Sequence, residues 1–70
     1  MKRISDLEFE QAMQLARNFL GLNPTYFEFN EFLSNICNVF QLLGYATSDF
    51  QTIAWELWYN TKEEPNNAHG

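Results

Sequence analysis

Three times in 70 residues a hydroxyl-bearing helix start is followed by an apolar stripe of helical period, and each stripe ends at a Gly or before a Pro. The first start is Ile4-Ser5-Asp6-Leu7-Glu8-Phe9. Ser5 is the expected N-cap, with Glu8 three residues on to reach back to its amide and Ile4 stapled over Phe9. At 100° per residue, Phe9, Ala12, Met13, Ala16, Phe19 and Leu20 share one side, with Leu15 at its margin. Asp6, Glu10, Gln14, Arg17 and Asn18 lie opposite, and Gly21 is expected to end the helix in a left-handed conformation. The second helix starts either with Asn23 as cap and Pro24 in the first position, or with Thr25 as cap and Glu28 completing a capping box. Its stripe is Phe29, Phe32, Leu33, Ile36, Cys37, Phe40 and Leu43, with Val39 beside it, and Gly44 closes it. The third start is Thr47-Ser48-Asp49-Phe50-Gln51, with Ser48 as the cap. Phe50, Ile53, Ala54, Leu57 and Trp58 form the inward stripe, which runs out near Thr61.

The pattern predicts an all-α fold, a small three-helix bundle with helices near 5–20, 25–43 and 48–61. Residues 1–61 make one domain. Residues 62–70, KEEPNNAHG, are polar and aperiodic and are expected to form a flexible C-terminal tail.

Charge limits the partners. Four Lys and Arg face nine Asp and Glu, a formal net charge of −5, and the cations Lys2, Arg3, Arg17 and Lys62 never cluster beyond two. Gripping a phosphate backbone takes clustered cations, so direct nucleic-acid binding is not expected, nor is binding to an anionic membrane. The third helix is not expected to read DNA, because it begins with Asp49 and has no Lys or Arg before Lys62. Acids follow Lys2 and Arg3 where a signal peptide would be apolar, and no apolar run is long enough to cross a bilayer. A cytoplasmic address is expected, in keeping with the single Cys37.

Catalytic equipment is thin. The one His, His69, is next to last, and Cys37 lies on an apolar stripe without a neighbouring cation. Glu28 with Glu31, and Asp6 with Glu10, share helix faces but occupy surface positions. There is no phosphate-cradling Gly loop and no calcium-loop spacing. No enzyme activity, metal or cofactor is expected.

Two surfaces exceed what a fold needs. From Phe32 to Ser48 there are 17 consecutive uncharged residues, so the outer face of helix two offers Ser34, Asn35, Asn38, Gln41 and Leu42. Desolvating an amide costs far less than desolvating an ion, so such a face suits an interface. On helix three, Trp55 and Tyr59 fall opposite Phe50 and are spaced i, i+4, which makes them a candidate outer aromatic patch. Leu7 and Phe27 also fall off their helices' apolar stripes. The expected interface residues are Trp55, Tyr59, Asn35, Asn38, Leu42 and Phe27. The expected function is a small acidic protein–protein interaction module, an adaptor, neutraliser or inhibitor of a larger protein that also forms a homodimer. The alternative is a nucleic-acid mimic that fills the basic site of a DNA- or RNA-binding protein, which would need the acids to converge on one surface.

Overall fold

The structure, a computed structural model, describes residues 2–67. Three helices carry the fold: α1 (Asp6–Leu20), α2 (Tyr26–Leu42) and α3 (Ser48–Asn67). Two short strands join the ends, β1 (Lys2–Arg3) and β2 (Tyr45–Ala46). They pair in parallel, with Lys2 opposite Tyr45 and Arg3 opposite Ala46, and the Lys2 amide donates to the Gly44 carbonyl at 3.0 Å. The start of the chain is thereby tied to the α2–α3 connection. Two residues are too few to leave an alternating pattern, so periodicity is blind to this pairing.

The helix starts resolve as local chemistry. Ser5 Oγ accepts from the Glu8 amide at 3.2 Å, but Glu8 Oε1 takes the Ser5 hydroxyl at 2.9 Å instead of the Ser5 amide. Of the two possible caps for α2, Thr25 is the one used. Its amide donates to Glu28 Oε1 at 2.8 Å, and its Oγ1 accepts from the Glu28 amide at 3.2 Å. At α3 the cap falls one residue earlier than Ser48, because the Thr47 carbonyl accepts the first amide, that of Gln51, at 2.9 Å. The buried Thr47 hydroxyl serves side chains instead, accepting from Gln41 Nε2 at 3.1 Å and Gln51 Nε2 at 3.0 Å.

The helix ends differ from expectation in three places. Gly21 stays right-handed, at φ −62°, and the left-handed residue is Asn23, at φ 58°. The chain takes another turn through Leu22 before reversing, and Asn tolerates the left-handed region better than most residues. Gly44, at φ 92°, does close α2 in the expected way. Leu43, placed on the core stripe by periodicity, is exposed because it caps the helix at φ −85°, ψ 0° and falls out of helical phase. Finally, α3 runs past Thr61 to Asn67. The apolar stripe stops at Thr61, but Lys62 anchors the next turn. Its ammonium donates to Asn23 Oδ1 at 2.7 Å and to the Pro24 carbonyl at 3.1 Å, and stands 4.9 Å over the Trp58 ring. The rest of the expected tail, residues 68–70, lies outside the described residues.

The core consists of two aromatic clusters on either side of a narrow waist. At one end Phe50 meets Phe9 edge-on at 5.8 Å and Phe40 at 6.1 Å, with Tyr45 against Phe40 at 5.9 Å. At the other, Phe29 is fully buried among Phe19, Phe32, Trp55 and Trp58. The waist is made of Ala12, Ala16 and Ala54, small residues that let the helix backbones approach. α1 and α2 run antiparallel, with Phe19 near the end of α1 stacked on Phe32 near the start of α2 at 4.6 Å.

Candidate protein-docking site

Four of the ten exposed large apolar side chains described, Tyr26, Phe27, Val39 and Leu42, lie on α2. Its core stripe is Phe29, Leu33, Cys37 and Phe40, all buried. Going round the helix toward α1, the next residues are Ile36, Val39 and Leu43. Together with Leu15 and Ala12 of α1 they line an open groove of about 450 Å3, rimmed by Gln11 and Asn35, with Glu8 its one charged residue. Leu15, Val39 and Leu43 are each more than half exposed. Leu15 entered the sequence reading only as a margin residue and Val39 as a neighbour of the stripe. Their role in the groove was hidden because it is built from the flanks of two helices whose packing angle no single-helix wheel contains.

On the other flank, toward α3, a smaller cleft of about 180 Å3 is lined by amides and hydroxyls, including Asn30, Ser34, Asn38, Gln41 and Gln51, with Trp55 at one end. Cys37 lies at its floor. Burial pushes the Cys37 thiol up from its ordinary pKa, and hydrogen bonding with Thr47 and Gln51 only partly offsets that. A thiol raised in this way is a poor nucleophile.

The six expected interface residues separate. Phe27 (84% exposed) and Leu42 (87% exposed) are the two most accessible large apolar side chains described. Asn35 and Asn38 are exposed on α2 between them. Tyr59 is half exposed, whereas Trp55 is partly buried. The helical wheel turns Trp55 outward, but Tyr26 in the first turn of α2 stacks over it at 5.0 Å, and Phe29 and Trp58 meet its edges at 5.1 and 5.9 Å. Those partners rotate α3 so that Trp55 belongs to the core margin, and Ile53 is left exposed in its place. Around Trp55 the exposed aromatics are therefore Tyr26 and Tyr59, with only part of Trp55 itself showing.

Among the described residues, the acids that line clefts do not gather at one place. Asp6 and Asp49 line a cleft with Arg3 beside the strand pair, Glu8 lies at the α1–α2 groove, and Glu28 and Glu31 line a shallow depression beside Phe27. Because α1 and α2 are antiparallel, Glu8 and Glu28 sit toward opposite ends of the bundle. Among the described residues, no three His, Cys, Asp or Glu side chains are placed to share a metal ion, and no helix is long and apolar enough to cross a membrane. His69 lies outside the described residues. Comparison with protein-family models, with curated proteins and with solved structures finds no match to this chain.

Proposed function

We propose that this chain is a small acidic protein–protein interaction module, acting as an adaptor, neutraliser or inhibitor of a larger protein and associating with itself. The observation that carries this reading is the open α1–α2 groove, where Leu15, Ile36, Val39 and Leu43 present apolar surface to solvent. An exposed apolar groove bordered by polar residues is a protein-docking feature. Its form suits the apolar face of a partner helix, read through anchors spaced i, i+3 or i+4, and i+7. Glu8 at one end of the groove and the net charge of −5 favour a partner helix with a basic residue flanking its apolar stripe.

The mimicry alternative needs the carboxylates on one face, and the separation of Asp6 and Glu8 from Glu28 and Glu31, toward opposite ends of the bundle, weighs against it. The two readings predict different crosslinks. A photoreactive phenylalanine analogue replacing Val39 is expected to trap one larger protein in cells, and the adduct should persist in high salt. The same group replacing Gln14 or Glu10, on the charged side of α1, is expected to trap nothing discrete. Salt-sensitive adducts from Glu10 or Glu31, with none from Val39, would displace docking in favour of mimicry.

A further inference from the structure

α2 carries a second stripe. The buried residues Phe29, Leu33, Cys37 and Phe40 are spaced 4, 4 and 3, and on the opposite side the exposed residues Phe27, Glu31, Asn35, Asn38 and Leu42 are spaced 4, 4, 3 and 4. Steps of three and four keep these residues on one face of the helix. Yet α1 and α3 both pack on the other side, and among the described residues nothing covers it. We infer that a second copy of this chain covers it, with α2 packed antiparallel on α2 about a two-fold axis between Ser34 and Asn35. The inference rests on the self-association part of the function proposed above and assigns it a face and an orientation.

The occupant follows from charge and symmetry. Two copies at −5 each repel, so they meet most closely where charge is sparse. The outer stripe of α2 comes near that condition: Glu31 is its one charged residue, and none lies between Glu31 and Asp49. Symmetry then chooses the direction. A parallel pair sets Glu31 against Glu31 of the second copy in the seam and brings two acidic helix starts together. The antiparallel pair sets Glu31 opposite Asn38 of the second copy, whose amide can donate to the carboxylate. It also sets Phe27 opposite Leu42 of the second copy at both ends, so the two most exposed apolar side chains cover each other. Asn35 meets Ser34 of the second copy at the centre, a small polar pairing that fixes register as buried amides do in coiled coils. Seventeen residues make a helix only about 25 Å long. The seam therefore lies at the small end of specific interfaces, about 1,200 Å2 in total, and the dimer should be half dissociated at micromolar rather than nanomolar concentration.

Sedimentation equilibrium of the full chain at low and high salt, from low micromolar to near millimolar concentration, tests this directly. The wild type is expected to dimerise in the micromolar range with little salt dependence. Leu42→Lys is expected to weaken the dimer at least tenfold without changing helicity, because Leu42 touches little of its own chain. Orientation is read by disulfide trapping, in which the buried Cys37 does not compete. A mixture of Phe27→Cys and Leu42→Cys chains should give the mixed disulfide, while neither chain alone crosslinks. Homodisulfides from either chain alone would establish a parallel pair and overturn the inference. A dimer indifferent to Leu42→Lys would overturn the seam but leave self-association standing. A strict monomer throughout would remove self-association from the proposed function as well.

Discussion

Replacing Trp55 and Tyr59 separately distinguishes a core residue from a surface one on the same helix. Trp55 meets Tyr26 at 5.0 Å, Phe29 at 5.1 Å and Trp58 at 5.9 Å, whereas Tyr59 is half exposed. Truncating a buried Phe or Trp to Ala costs about 3–5 kcal/mol. Trp55 is only partly buried, which lowers that figure, but three aromatic pairs worth about 0.5–1.5 kcal/mol each are lost with it. We expect Trp55→Ala to cost about 3 kcal/mol and Tyr59→Ala less than about 1 kcal/mol. A 70-residue domain has roughly 4–10 kcal/mol in total at 0.05–0.15 kcal/mol per residue. Trp55→Ala should thus remove a third or more of the stability, and Tyr59→Ala a minor part. Urea unfolding followed by far-ultraviolet circular dichroism is the suitable assay, since tryptophan emission changes with the substitution itself. Equal losses for the two variants, or a loss below 1 kcal/mol at Trp55, would refute the placement of Trp55 at the core margin.

Gly44 at φ 92° has open space around it, so Gly44→Ala should cost about 1–2 kcal/mol purely through backbone strain. Gly21 at φ −62° has no such requirement, and Gly21→Ala should stay within about 0.5 kcal/mol; urea midpoints in the reverse order would contradict the assignment of the turns. Lys62→Met keeps the apolar stem but removes both hydrogen bonds and the charge over Trp58, with an expected loss of about 1 kcal/mol and faster amide exchange in the last turns of α3. Unchanged exchange there would show that the contact holds nothing. The carboxylate of Glu8 pushes the Tyr45 pKa above its ordinary 10.0, by hydrogen bonding and by its charge. A raised acid pKa favours the neutral form in the fold, so its contribution is complete below pH 10 and disappears as pH rises through the higher folded value. Tyr45→Phe should flatten the alkaline limb of the stability profile, and an unaltered limb would exclude the contact.

Most of the helical framework was legible because it depends on neighbours in sequence. Ser5 with Glu8, and Thr25 with Glu28, are three residues apart, and stripes such as Ala12-Met13-Ala16 follow from helical period alone. What escaped depends on partners far along the chain. Lys62 extends α3 through contacts with Asn23 and Pro24, 39 and 38 residues away. The Lys2–Tyr45 strand register has no local signal at all. Trp55 illustrates the limit most clearly: its wheel angle is set by α3, but its burial is set by Tyr26 and Phe29 on α2. The candidate surfaces were partly legible for the same reason. Phe27, Asn35, Asn38 and Leu42 face away from the stripe of their own helix, whereas the groove between Leu15 and Val39 exists only once two helices are packed.

The distribution of charge connects the two proposed roles of α2. A chain of −5 that associates with itself forms a pair of −10, so the contact is best made where charge is sparse, and beyond Glu31 the outer face of α2 carries none. Its outer stripe lies directly opposite the core, while the groove lies on the flank toward α1 and shares only Asn35 with that stripe. A second copy seated on the stripe therefore leaves Leu15, Ile36 and Leu43 uncovered, and the proposed dimer presents two grooves rather than one. The doubled negative charge would then favour cationic partners over nucleic acid at both grooves. If each groove holds one partner helix, binding to a multivalent target gains from effective concentration without any new contact. Leu42→Lys should remove that gain while leaving single-site affinity at the groove unchanged, which separates the two faces of one helix in a single variant.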